Sequence, residues 1–158
     1  MRDQIQRVNL GKAAPELYQT VAALDKLGAE RAKAAGLAIG FTHLLRLRAS
    51  QINGCAYCVR MHAHDALAAG ESNDRIALLD AWRESAYFDD KERAALALVE
   101  AVTLVNAGQV PEAVYGEAAA VLSGDEIAAV EWVAIVMAAW TRIAISSRYT
   151  VAPPRTTS

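Results

Sequence analysis

The sequence predicts an all-α protein, a single-domain helical bundle of about six helices. Three observations carry that expectation. Apolar residues recur at three- and four-residue spacing through most of the chain. The periodic segments are rich in Ala and Leu, both good helix formers, and no run of alternating β-branched residues marks a strand. The breaks between segments fall at Gly, Pro and Asn, the residues that interrupt helices. A length of 158 residues suits one domain with a substantial core. The bundle is expected over residues 1–152, with a flexible tail over 153–158.

The first helix enters at Pro15, a favourable early-turn residue, and continues through LYQTVAALDKLGAERAKAA, where Gly28 is a point of loosening or division. Beyond Gly36, the segment LAIGFTHLLRLRASQIN has a broad apolar face made by Phe41, Leu44, Leu45, Leu47 and Ile52, and it ends at Asn53-Gly54. Next comes CAYCVRMHAHDALAA, expected to be capped by Asn53 and stopped by Gly70. A fourth helix is expected near Asn73 to Glu84, from the spacing of Ile76, Leu79 and Trp82. The fifth runs from about Asp89 to Asn106, with Asp89 and Asp90 at its positive end. The last region starts at Pro111, turns at Gly124, and closes with a helix apolar on nearly every side. Such a helix must be buried in a core or between subunits. Trp82, Trp132, Trp140, Phe41 and Met137 read as core or interface packing.

Composition narrows the function. Hydrophobic residues make up 54% and charged residues 22%, with a formal net charge of -2, so neither a disordered chain nor a basic nucleic-acid binder is expected. The start, MRDQIQRVNL, lacks the apolar core of a signal peptide, which favours a cytoplasmic protein. Glu131 and Arg142 bound the uncharged run WVAIVMAAW, far short of the roughly 20 residues of a spanning helix, so no membrane role is expected. Two cysteines alone are not a secreted disulfide framework.

Those two cysteines carry the chemistry. Cys55, Cys58 and His62 stand at i, i+3 and i+7, which places them within about 60° of arc on one helix. Near a helix N-terminus the macrodipole favours a thiolate, and an imidazole one turn further on can take a thiol proton near neutral pH. A thiolate, a base and a second thiol are what disulfide redox chemistry needs, without haem, flavin or a resident metal. A thioredoxin-like fold would require βαβ units that the sequence lacks. Competing arrangements are two small buried cysteines beside a core histidine, and a Cys2His zinc site completed by His43 or His64.

Around these residues the sequence resembles the alkylhydroperoxidase D-like group of the carboxymuconolactone decarboxylase superfamily. LRLRASQINGCAYCVRMHAHDALAAGE, from Leu45 to Glu71, is similar to the group's core motif, and AWRES, FDDKERAALALVEAVT and AAWTRIAI are similar to its downstream segments. The resemblance implies an all-α homo-oligomer, a trimer or hexamer, with its site near subunit contacts. It also implies reduction of a small hydroperoxide: Cys58 corresponds to the attacking thiol, Cys55 to the resolving thiol and His62 to the relay histidine. An external dithiol or lipoyl-type protein would supply electrons. Decarboxylation is disfavoured, because the superfamily's lactone decarboxylases lack the cysteine pair.

Two departures stand out. His43 occupies the place, twelve residues before the first cysteine, that usually holds a relay glutamate, and Thr141 stands where asparagine is common. An imidazole can pass protons but does not orient a partner histidine as a carboxylate does. Asp65, one turn after His62, could take over that orientation. A non-catalytic redox sensor is the alternative function.

Overall fold

The computed structural model describes residues 5–153; the expected tail beyond residue 153 lies outside them. Every regular element among the described residues is helical. They are α1 (Leu10–Ala13), α2 (Pro15–Ala34), α3 (Ile39–Ile52), α4 (Ala56–Ala68), α5 (Asn73–Ala77), a 3₁₀ turn (Leu79–Glu84), α6 (Asp90–Thr103), α7 (Val105–Gly108), α8 (Glu112–Val121) and α9 (Gly124–Ser146). Six of these reach ten residues or more, and they form the body of the bundle. α9 packs against α2, α3 and α6, while α3 packs closely against α4.

Local chemistry sets the ends. Asp89 caps α6 and Ser123 caps α9, each in a reciprocal capping box with the glutamate three residues on. Ser123, rather than Gly124, therefore makes the final break, and Gly124 is the first residue inside the helix. α2 starts at Pro15 and runs unbroken through Gly28, whose side faces Val136 of α9. Packing against α9 holds the helix across the residue expected to weaken it.

The fourth expected helix is interrupted. α5 stops at Ala77, and the chain continues as a 3₁₀ turn with Ala81 outside helical geometry. This kink lets Leu79 and Trp82 both bury, and it aims the Trp82 indole N–H at Glu100 of α6, 2.8 Å away. Tertiary demand overrides the local period here. The fifth helix likewise ends at Thr103, with the separate turn α7 following.

Glu100 is buried and also accepts from Arg48 Nε at 2.7 Å, while Arg83 lies 2.7 Å from its second oxygen. Burial alone would raise its pKa, but the hydrogen bonds from Arg83, Trp82 and Arg48 and the Arg48 charge outweigh that and hold it below the usual carboxylate range. Glu100→Ala leaves buried donors without a partner, and chemical denaturation should show a loss of about 3–5 kcal/mol. In wild type the contribution is complete above the unfolded pKa of about 4.3 and disappears as pH falls through the lower folded value. The stability difference between wild type and variant should therefore shrink in acid.

α9 joins the core through Val130, Val133, Ala134, Met137 and Ala144, and exposes Trp132, Ile135 and Ile145. Its length and apolar content would suit a bilayer, yet half of its most apolar stretch is buried in the bundle. Phe41, Trp82 and Met137 are core residues, whereas Trp132 is exposed and Trp140 only half-buried.

Candidate active site

The link between α3 and α4 builds the site. Asn53 ends α3 in helical geometry, and Gly54 follows with φ +66°, a conformation that favours glycine. Gly54 N–H then donates to the Gln51 carbonyl and Cys55 N–H to the Ser50 carbonyl, the paired closure of a Schellman motif. Asn53 is thus consumed in ending one helix and does not cap the next. Cys55 is itself the N-cap of α4, its sulfur accepting the Cys58 N–H at 3.3 Å.

Cys55 and Cys58 are paired as a disulfide across a Cα separation of 5.3 Å. The sulfurs sit at the N-cap and third residue of α4, where unpaired amides and the helix dipole favour a thiolate once the bond is reduced. Both residues are only 2% exposed, so Cys55 is no more accessible than Cys58, although it lies nearer the helix end. The tight glycine turn folds it back under α3.

His62 lies one turn after Cys58, and Cys58, His62 and Ala66 form the buried stripe of α4. His62 is 3% exposed, and among the described residues neither ring nitrogen has a hydrogen-bond partner. Burial, then the charges of Arg46 and His43, push its pKa down to about 3, so the ring is neutral at physiological pH. His43, from α3, stands with its ring centroid 5.9 Å from that of His62. Its pKa is also lowered, chiefly by burial, although Asp65 opposes the shift. Asp65 Oδ2 lies 3.7 Å from His62 Nδ1 and 3.9 Å from His43 Nδ1, close to both rings but beyond hydrogen-bond length.

The fold therefore brings His43, His62 and Asp65 together, and places Cys58 on the same buried face as His62. His64 has no place in this cluster. Two residues beyond those expected from the sequence join this region. Arg46, one turn after His43 and buried, pairs with Asp25 of α2 at 2.6 Å, and the second Asp25 oxygen accepts the Trp140 indole N–H at 2.9 Å. The i, i+3 spacing of His43 and Arg46 was a visible signal, but nothing in the sequence linked Asp25 to either. An open cleft of about 320 Å³ between α2 and α3 is lined by Asp25, Lys26, Lys33, His43 and Arg46 among apolar residues. Thr141 is buried and bonds back to the Met137 carbonyl of its own helix.

A helical bundle that holds a cysteine pair at a helix N-terminus, with a buried imidazole one turn on, is an all-α protein of the thiol–disulfide type. The chain belongs to the carboxymuconolactone decarboxylase family, whose model matches residues 15–101, and its fold is AhpD-like. It is 36% identical over 110 residues to the uncharacterized protein YdfG of Bacillus subtilis (strain 168), covering 70% of this chain and 72% of that one. The crystal structure of an Agrobacterium tumefaciens protein of unknown function, considered a candidate antioxidant defence protein AhpD, superposes with a TM-score of 0.84 at 36% identity. That match covers 94% of this chain and 99% of the other.

Proposed function

We propose that the protein is a thiol-dependent peroxidase that reduces small hydroperoxides through Cys58 and Cys55, with His62 as proton acceptor. The observation that carries the reading is the Cys55–Cys58 bridge at the start of α4 with an unpartnered, neutral imidazole one turn away. A family that includes a candidate antioxidant protein supports the same reading.

In the reduced protein, the thiolate forming at the head of α4 stabilises an imidazolium that burial disfavours in the disulfide form, so His62 takes the Cys58 proton and the thiolate attacks one peroxide oxygen. The S–O bond forms, the O–O bond breaks, and the departing alkoxide recovers the proton to leave as an alcohol. Cys55 then attacks the Cys58 sulfenic acid; the S–S bond forms and the oxygen leaves as water. The two thiols have supplied two electrons, and an external dithiol, free or carried on a lipoyl-type protein, restores them by exchange. No cofactor takes part. The reading places the protein in the cytoplasm as a homo-oligomer, trimeric or hexameric, in which the exposed apolar side of α9 finds cover.

The burial of both sulfurs favours a second reading, a redox sensor that oxidises once and is not readily reopened. Steady-state peroxide consumption with excess dithiol separates the two. A peroxidase consumes many equivalents per chain; a sensor stops after one.

His43 gives a graded test. A carboxylate would hold and strengthen the His62 base more effectively than a neutral ring does. In the same assay His43→Glu should raise turnover by about tenfold. Unchanged or lower turnover would mean that the imidazole serves the relay as well as a carboxylate.

A further inference from the structure

The cluster beside the cysteines has donors that the thiol chemistry leaves unused. His62 carries two unpartnered ring nitrogens in a nearly inaccessible position, and His43 Nδ1 is also buried and unpartnered. Asp65 lies near both rings, and one donor atom from each of the three residues lies within 4.8 Å of the other two. Around a tetrahedral ion with bonds of about 2.0–2.1 Å, donors stand roughly 3.4 Å apart. The 3.7 Å and 3.9 Å separations from Asp65, with all three donors within 4.8 Å of one another, are thus an expanded version of that geometry. Asp65 is half-exposed and free to close the gap, whereas His62 is fixed by the core.

We infer that His43, His62 and Asp65 form a binding site for one divalent transition-metal ion of borderline softness, such as Zn²⁺, whose binding competes with the proton-accepting role of His62. Two imidazoles and a carboxylate are the donor set that such ions prefer, and a neutral ring is the form that binds. His43 also lines the α2–α3 cleft, from which water can complete the coordination. The neighbouring positive charge of Arg46 would oppose a cation, but Asp25 pairs with it at 2.6 Å and partly offsets that charge. No sulfur is needed: with Cys55 and Cys58 joined to each other, neither offers a thiolate. This separates the site from a Cys2His arrangement. Where the peroxidase reading also holds, the ion occupies the ring that would receive the Cys58 proton, and added Zn²⁺ should slow turnover.

The test is a Co²⁺ titration of the disulfide form, followed by visible absorption. One ion per chain is expected, displaced by Zn²⁺ and without a sulfur-to-cobalt charge-transfer band. The Cys55→Ser/Cys58→Ser double variant should bind equally well. Loss of a direct ligand should cost at least the roughly 10–100-fold that loss of a supporting hydrogen bond costs, so His43→Leu and Asp65→Asn should each weaken binding by about 100-fold. Both positions are partly exposed, and thermal melts check that the variants fold. Absent binding in wild type, undiminished binding in both single variants, or loss of binding in the cysteine variant would overturn the inference. Because cation binding and not turnover is read, failure here leaves the peroxidase proposal standing, and absent turnover leaves this site standing.

Discussion

Replacing Cys58 with serine should reduce dithiol-coupled peroxide consumption to the background rate, a loss of at least about a thousandfold. The attacking group in the proposed reaction is a thiolate, and a serine hydroxyl in the same place stays protonated and is a far weaker nucleophile. The chain has only two cysteines, and the proposed reaction assigns the other, Cys55 at the N-cap, to resolving and not to the first attack. Cys55→Ser should behave differently. Its Cys58 still reacts once with peroxide, and the sulfenic acid then accumulates, open to trapping by a carbon nucleophile. Undiminished turnover in Cys58→Ser would remove the attacking role from that residue.

His62→Leu should separate activity from stability. Loss of a positioned general base lowers turnover by about 10²–10⁴-fold. The same change removes two buried nitrogens that have no partner in the fold, and a side chain of similar volume and no polar atoms suits that position. The thermal midpoint should therefore hold or rise while activity falls. A histidine serving only as core packing would give the opposite pattern, with turnover preserved and any loss confined to stability. Melting curves and the peroxide assay on the same preparation distinguish the two.

What could be read from the sequence tracks how local its cause is. Pro15, Asp89 and the apolar periods of α2, α3, α4 and α6 act within one or two turns, and those helices lie where the residues place them. Cys55, Cys58 and His62 share a helix, so their common face followed from spacing alone. Where a distant partner decided the outcome, the reading fell short. The break at Ala81 exists because Trp82 must reach Glu100, eighteen positions away in the chain. Asn53 reads locally as a cap for the helix after it, but the glycine beside it closes the helix before it. Asp25 meets Arg46 and Trp140 only because α2, α3 and α9 pack together, and no local pattern announces such a contact. His43 falls between these cases: its position in the motif was visible, but its alignment with the His62 ring and Asp65 depends on how α3 crosses α4.

The proposed reaction requires the two sulfurs and the imidazole to act as one unit, and a single-turnover measurement addresses this directly. Fully reduced protein is mixed with one equivalent of a hydroperoxide, and the intact mass, free thiols and alcohol product are followed together. The expected result is rapid loss of two hydrogens per chain, a Cys55–Cys58 bridge in the peptide map, and one alcohol formed for each pair of thiols lost. Thiols that persist in the presence of peroxide at neutral pH, or oxidation that leaves the two cysteines unbridged, would contradict it.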